Sequence, residues 1–218
     1  MPQIFRRGSN TIARVALVGG PLALFGLIWA TYAVYWAPWT TRVDVEINQP
    51  VPFSHKHHVD DDGIDCRYCH TSVEKSGFAG IPPTETCMTC HSQLWNQAPI
   101  LAPVRDSMAF NSRLRWYRVH DLPDFVFFNH SIHIAKGIGC ASCHGRVDEM
   151  PLVRKQYSLY MKWCLDCHSD PAKHIRPKQD VFNMAWQSPT NQPELGANLV
   201  RAYHINTTQL TDCSMCHR

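Results

Sequence analysis

The chain has no cysteine to spare. All ten of its cysteines fall in five copies of one pentapeptide: Cys66-Arg67-Tyr68-Cys69-His70, Cys87-Met88-Thr89-Cys90-His91, Cys140-Ala141-Ser142-Cys143-His144, Cys164-Leu165-Asp166-Cys167-His168 and Cys213-Ser214-Met215-Cys216-His217. None is left for a disulfide, an iron–sulfur cluster or a catalytic thiol. Five pairs cannot combine evenly into closed four-ligand zinc sites. Neither zinc ribbons nor thioredoxin-like redox pairs require a histidine directly after every second cysteine. The chain also lacks any run of Lys and Arg interleaved with aromatics, so its formal charge of +3 gives no footing for nucleic acid. No charged side chain occurs between Val15 and Trp39.

C-x-x-C-H is the attachment signature of c-type haem. Its two thiols form thioethers to the haem vinyl groups, and the histidine reaches the iron from one side. Five copies imply five covalently bound haem c groups. They are attached through Cys66, Cys69, Cys87, Cys90, Cys140, Cys143, Cys164, Cys167, Cys213 and Cys216, with His70, His91, His144, His168 and His217 as proximal ligands. About 180 residues then house five haems, about 36 per haem, too few for an ordinary side-chain core around each. The porphyrins themselves form the core, the thioethers act as staples on the unfolded chain, and the apo-chain is expected to be unfolded. Haem propionates make the mature surface more acidic than the sequence charge. No C-x-x-C-K occurs, and enough histidines exist to close every iron. An enzyme with an open haem is therefore disfavoured, and no catalytic residue and no small-molecule substrate at the haems are expected.

Eight histidines lie outside the pentapeptides. The sequence F-x-H-x-x-H occurs twice, as Phe53-Ser54-His55-Lys56-His57-His58 and Phe128-Asn129-His130-Ser131-Ile132-His133. Histidines three apart on a helical turn project from one side, so each pair can serve two adjacent irons. The expected pairing is His55 with the first haem, His58 with the second, His130 with the third and His133 with the fourth. His204 is the candidate for the fifth, with His120 as the alternative sixth ligand or a partner of a propionate. Two imidazoles close low-spin iron to substrate and suit electron transfer. His57 reads as a solvated neighbour and His174 as a surface or propionate-contacting residue. Met150 and Met161 leave one His/Met haem open, and Trp163 reads as packing.

The 25 residues from Val15 to Trp39 are long enough to cross a bilayer as a helix. Arg6, Arg7 and Arg14 precede them, which keeps residues 1–14 in the cytoplasm. Trp29, Tyr32, Tyr35, Trp36 and Trp39 form an aromatic belt at the far end. Pro21 permits a mild kink, and Gly19, Gly20 and Gly26 permit close approach of another helix. A cleaved signal peptide would have a shorter apolar part and a small-x-small cleavage site. A retained anchor is therefore expected over 15–39. Haem attachment outside the cytoplasm requires the same orientation.

Residues 40–218 are the expected haem domain. The duplicated histidine and haem motifs define two dihaem modules, 53–95 and 125–170, with a fifth haem over 200–218. Short helices around the motifs and otherwise loops are expected, without significant sheet. Residues 96–121 read as a connection, and 170–193, with four prolines, as an irregular surface loop available to a partner.

The paired motifs resemble the class III cytochromes of the c3 and c7 type. This defines the expected fold class: a mostly irregular and α-helical multihaem cytochrome c with duplicated class III-like modules and one N-terminal transmembrane helix. Phe53 to His58, Ile64 to His70, Gly80-Ile81-Pro82, Val119 to Val126, Phe128-Asn129-His130 and Cys143 to Met150 resemble the pentahaem cytochrome c subunit of bacterial alternative complex III. The likeness covers most of the chain from Phe53 to His168. It implies an electron conduit in a quinol:electron-acceptor oxidoreductase complex of the bacterial inner membrane, with the haem domain in the periplasm. The implied partners are an iron–sulfur subunit, quinol-binding membrane subunits and a monohaem cytochrome c, besides membrane lipid. The competing reading is a stand-alone quinol dehydrogenase of the NapC/NrfH kind, with Asp44 or Glu46 accepting the proton.

Overall fold

The computed structural model describes residues 4–6 and 8–217. Arg7 and the first three residues of the expected cytoplasmic tail lie outside the described residues. Two compact units are present, one ending at Val43 and the other beginning at Asp44.

The first unit is dominated by α1, Ser9–Trp36, about 42 Å long at 1.5 Å per residue. It starts six residues before the uncharged stretch, because Ser9 to Arg14 contains no helix breaker. It stops at Trp36 because Pro38 follows. The residue before a proline is forced out of the helical region, and Ala37 is extended at φ −63°, ψ 146°. Pro21 sits inside the helix. Thr31 Oγ1 donates to the Ile28 carbonyl at 2.8 Å, which satisfies the hydroxyl within the helix. No residue of α1 is buried, and an 18-residue window within it reaches a mean hydropathy of 1.8, with apolar residues on every side. A helix apolar on all sides is stable in water only if something else covers it. By length and composition α1 suffices to cross a membrane. Pro38 then opens the short α2, Pro38–Thr41, which ends at Arg42 with φ 57°.

The second unit is built from short pieces: α3 Cys66–Cys69, α4 Thr84–His91, α5 Ala102–Ala109, α6 His130–Ala135, α7 Cys140–His144, α8 Met161–Ser169, α9 Gln192–Ala202 and α10 Cys213–Cys216. A six-residue π-turn spans Lys56–Asp61. There are no strands among the described residues; isolated bridges join Glu46 to Arg154, Val126 to His217 and Ile138 to Ile175. The protein core is thin: the buried apolar side chains of this unit are Val51, Val73, Val104, Met150, Ile175 and Val181.

Residues 170–193 depart from the expected surface loop. They are the best-packed part of the unit, with Ile175 and Val181 each 1% exposed. The prolines here supply rigid 3₁₀ turns at Pro171–Lys173 and just before Lys178–Asp180. Gln192 Nε2 closes the segment by donating to the carbonyls of Ala172 at 2.8 Å and Ile175 at 2.9 Å. Helix α9 packs on the Pro171–Lys173 turn. Gly196 is required at that contact, because a Cβ there would overlap the Ala172 carbonyl.

Candidate haem-binding sites

All five C-x-x-C-H motifs lie on short helices, in α3, α4, α7, α8 and α10. Residues i and i+3 share a helix face, so each cysteine pair presents both sulfurs together. Asp65 caps α3 by accepting from Arg67 N at 2.8 Å. None of the ten cysteines is in a disulfide.

The histidines outside the motifs are held in two near-copies of one arrangement. In the first, Ser54 Oγ accepts from His57 N at 3.2 Å, and the Ser54 carbonyl accepts from His58 Nδ1 at 2.8 Å. In the second, Asn129 Oδ1 accepts from Ser131 N at 2.9 Å, and the Asn129 carbonyl accepts from His133 Nδ1 at 2.7 Å. Phe53 stacks on His58 at 4.3 Å and meets His55 edge-on at 4.9 Å. Phe128 stacks on His133 at 4.4 Å and meets His130 edge-on at 4.7 Å. These phenylalanines are visible in the sequence as part of a repeat, and the structure shows that they orient the histidines. Their recurrence, together with a capping residue type at the next position, was the available signal.

Four imidazole pairs result. Ring centres are 6.5 Å apart for His55 and His70, 6.1 Å for His58 and His91, 6.3 Å for His130 and His144, and 6.1 Å for His133 and His168. Two metal–nitrogen bonds of about 2.0 Å, plus about 1.1 Å from each ring centre to its nitrogen, span about 6.2 Å. The pairs therefore leave the gap that one metal ion bridging two imidazoles requires.

The tautomers agree. Nδ1 faces a backbone carbonyl in six of these eight rings and in His217: His58 to Ser54, His70 to Gly80, His91 to Leu94, His130 to Gly77, His133 to Asn129, His168 to Leu210 and His217 to Phe125. A carbonyl can only accept, so Nδ1 carries the proton and the lone pair falls on Nε2, the atom left for a metal. Burial holds His55 down to about 4 and His144 down to about 3, with neighbouring imidazoles adding to the effect. Burial also lowers His133. Neutral imidazole is the form a metal needs.

Among the described residues the fifth motif has no such partner imidazole. His217 packs against Phe125, ring centres 5.8 Å apart. His204 is exposed, has φ 51°, and does not stand opposite His217. Its carbonyl and that of Tyr203 are held by Lys136 Nζ, the latter at 2.6 Å. His120 is not opposite His217 either. Its ring lies 4.2 Å from that of His144, at 71°, and its buried Nε2 has no hydrogen-bond partner. Burial, then Lys155 and His130, holds His120 down to about 4. His57 and His174 are exposed. Met150 is buried, Met161 is 66% exposed, and Trp163 stacks on Tyr157 at 5.4 Å.

Haem c fits what these residues offer. The cysteine pairs are unbridged, the imidazoles are spaced for a metal, and protein atoms leave large voids. One cavity of about 530 Å³ lies beside α7, lined by Ala141, Ser142, Met150, Arg176 and Trp186. Another of about 1180 Å³ lies between Ile81–Glu85 and Ser107–Arg118.

Repeated cysteine–histidine attachment loops with paired imidazoles on a nearly strandless frame define a multihaem cytochrome c. The family model described as Cytochrome c3 matches residues 132–218. Over 210 residues the chain is 30% identical to the "Menaquinone reductase, multiheme cytochrome c subunit" of Nitratidesulfovibrio vulgaris (strain Hildenborough), covering 95% of this chain and 86% of that protein. The chain belongs to this family of multihaem cytochrome c subunits.

Proposed function

We propose that the chain is the haem-bearing electron conduit of a quinone-linked oxidoreductase complex, anchored by α1 in the bacterial inner membrane with its haem domain in the periplasm. It holds five haem c groups through its ten cysteines. The axial pairs are His55 with His70, His58 with His91, His130 with His144 and His133 with His168, and His217 serves the fifth. The observation that carries this reading is the spacing of the four imidazole pairs, 6.1 to 6.5 Å. A haem iron held by two imidazoles gains and loses one electron without opening a position for substrate. The protein's part is to fix each ring through Nδ1, keep Nε2 neutral and keep water from the irons.

The menaquinone reductase named for the relative and the resemblance to alternative complex III support the same setting. In it, quinone chemistry belongs to membrane partners, and an iron–sulfur subunit and a monohaem cytochrome c continue the electron path. Arg6 and Arg14 before the span, and haem attachment outside the cytoplasm, support the orientation. One of the two acids that a stand-alone quinol dehydrogenase would use is engaged elsewhere: Asp44 Oδ1 accepts from Arg154 Nε at 3.4 Å.

The test is mild detergent extraction of the full chain from membranes. The intact mass is expected to show five added haems, the visible and EPR spectra predominantly low-spin iron, and an iron–sulfur subunit is expected to co-purify. The chain stripped of partners is expected not to be reduced by a menaquinol analogue. Rapid reduction would favour the stand-alone dehydrogenase, and a dominant high-spin signal would sink the ligand assignment.

A further inference from the structure

The attachment loops, numbered 1 to 5 along the chain, touch one another in a single succession. Loop 1 meets loop 2 directly, through a 2.8 Å hydrogen bond between the hydroxyls of Tyr68 and Thr89. His55 and His58, which face these loops, share one turn. Loop 1 meets loop 3 through the segment between them: the Arg67 guanidinium lies 4.5 Å over the Phe182 ring, and Cys140 N donates to the adjacent Val181 carbonyl at 3.1 Å. Two further ties join these neighbourhoods. Lys56 N donates to the Met150 carbonyl at 3.1 Å, and Ser131 N donates to the Ser76 carbonyl at 3.2 Å.

Loops 3 and 4 face His130 and His133 on α6. The His130–His144 and His133–His168 ring pairs, 6.3 and 6.1 Å between centres, each draw one ring from this one short helix. Loop 4 meets the approach to loop 5, because His168 Nδ1 donates to the Leu210 carbonyl at 2.8 Å, three residues before Cys213. Loop 5 is otherwise held by residues 125–127, with Phe127 N donating to the Cys216 carbonyl at 2.8 Å. Among the described residues, no hydrogen bond or ring contact joins loop 2 to loops 3, 4 or 5, and none joins loop 5 to loops 1 or 2.

We infer that the attachment sites are strung in space as an unbranched chain in the order 2–1–3–4–5, with sites 2 and 5 at its ends. This rests on the five-haem reading above and goes beyond it, because sequence order would put site 1 at an end and site 2 in the interior. Site 1 is instead the junction from the first module to the second. Cys90 of loop 2 and Cys213 of loop 5 are the two exposed cysteines of the ten, as end positions require. The faces around these two loops are where redox partners exchange electrons with the chain.

The order is tested in the full-length holoprotein with His55→Ala, His58→Ala, His130→Ala and His133→Ala, read by EPR of the oxidised state. Each variant is expected to lose one low-spin signal, which assigns that signal, and to gain a high-spin centre that broadens the signals of its spatial neighbours. His58→Ala is expected to broaden the site 1 signal alone. His55→Ala broadens those of sites 2 and 3, His130→Ala those of sites 1 and 4, and His133→Ala those of site 3 and the signal no variant abolishes. Broadening of more than one signal by His58→Ala, or no broadening of the site 3 signal by His55→Ala, overturns the order. Where an alanine variant yields no holoprotein, the Met variant at that position keeps a sixth ligand and raises the potential. Its site is then reduced first, and narrowing of the same neighbours replaces broadening. Fewer than five haems by mass, or variants that keep every low-spin signal, would refute the five-haem reading instead, so the two failures are distinguishable.

Discussion

The two F-x-H-x-x-H modules reach nearly the same ring geometry from different backbones. In the first, His58 lies on a π-turn, Lys56–Asp61, and His55 is the residue that precedes it; in the second, His130 and His133 both lie on α6. The outer pairs agree closely, His55 with His70 at 3° and His130 with His144 at 10°. The inner pairs do not, His58 with His91 crossing at 69° and His133 with His168 at 30°. The proximal ring's hydrogen bond accompanies that difference. His91 Nδ1 faces a local carbonyl, Leu94, at 3.1 Å, whereas His168 Nδ1 faces the distant Leu210 at 2.8 Å. The two repeats thus hold their own rings alike, while the contacts of the motif histidines that face them differ, local for His91 and distant for His168.

The modules are braced differently: α5 packs on α4 in the first, with a 2.7 Å hydrogen bond between the hydroxyls of Thr84 and Ser107, and Arg176 and α9 brace the second. Arg176 is 4% exposed, lies 4.3 Å over the Trp186 ring and donates to Ser142 Oγ at 3.0 Å in loop 3. Helix α9 backs the turn that follows α8. The largest expected effect is therefore Gly196→Ala. The added methyl must displace the Ala172 carbonyl backbone, and overpacking of this kind costs about 1–3 kcal/mol. Thermal denaturation of the holoprotein is expected to show a lower midpoint, with the signals of sites 3 and 4 perturbed and those of sites 1 and 2 unchanged. Equal perturbation of both modules would show that the brace does not belong to the second alone.

Haem attachment was legible because the chemistry demands a contiguous pentapeptide. The helical and irregular character followed from the scarcity of residues per haem, and the thin core agrees with it. What was not legible depends on distant contacts. Nothing near Asp170 announces that its prolines form packed turns around Ile175 and Val181 rather than a loose loop. Periodicity cannot separate a π-turn from an α-turn over six residues. His204 sits at a plausible spacing before Cys213, yet its backbone is tied to Lys136 on the other side of the chain. His120 looked like a spare ligand, and only the fold brings it against His144.

A smaller difference between the modules lies in their caps. Asn129 Oδ1 accepts from both Ser131 N and Ile132 N, while Ser54 Oγ accepts from His57 N alone. Removing a capping side chain costs about 0.5–2 kcal/mol. Asn129→Ala is expected near the middle of that range and Ser54→Ala at its lower end, by chemical denaturation of the holoprotein. Asn129→Ser is expected to be nearly silent, because it gives the second module the cap of the first. A Ser54→Ala cost equal to that of Asn129→Ala would show that the carbonyl, common to both, carries the cap.

The smallest effect is expected at His57, which has no equivalent ring in the second module, where Ile132 stands at the same position. His57 lies within 3.7 Å of Asp61 and 3.6 Å of Asp62, but all three side chains are about half exposed. Exposed ion pairs of this kind give back in side-chain entropy most of what they gain. Its ring meets His58 edge-on at 5.4 Å, while the ring stacked on His58, at 4.3 Å, is that of Phe53. His57→Ala is therefore expected to leave the low-spin spectrum, the haem count and the denaturation midpoint unchanged, which separates it from both neighbouring histidines. Loss of a low-spin signal in this variant would mean that the first module uses a different histidine from the one its geometry selects, and the equivalence of the two modules would fail at its centre.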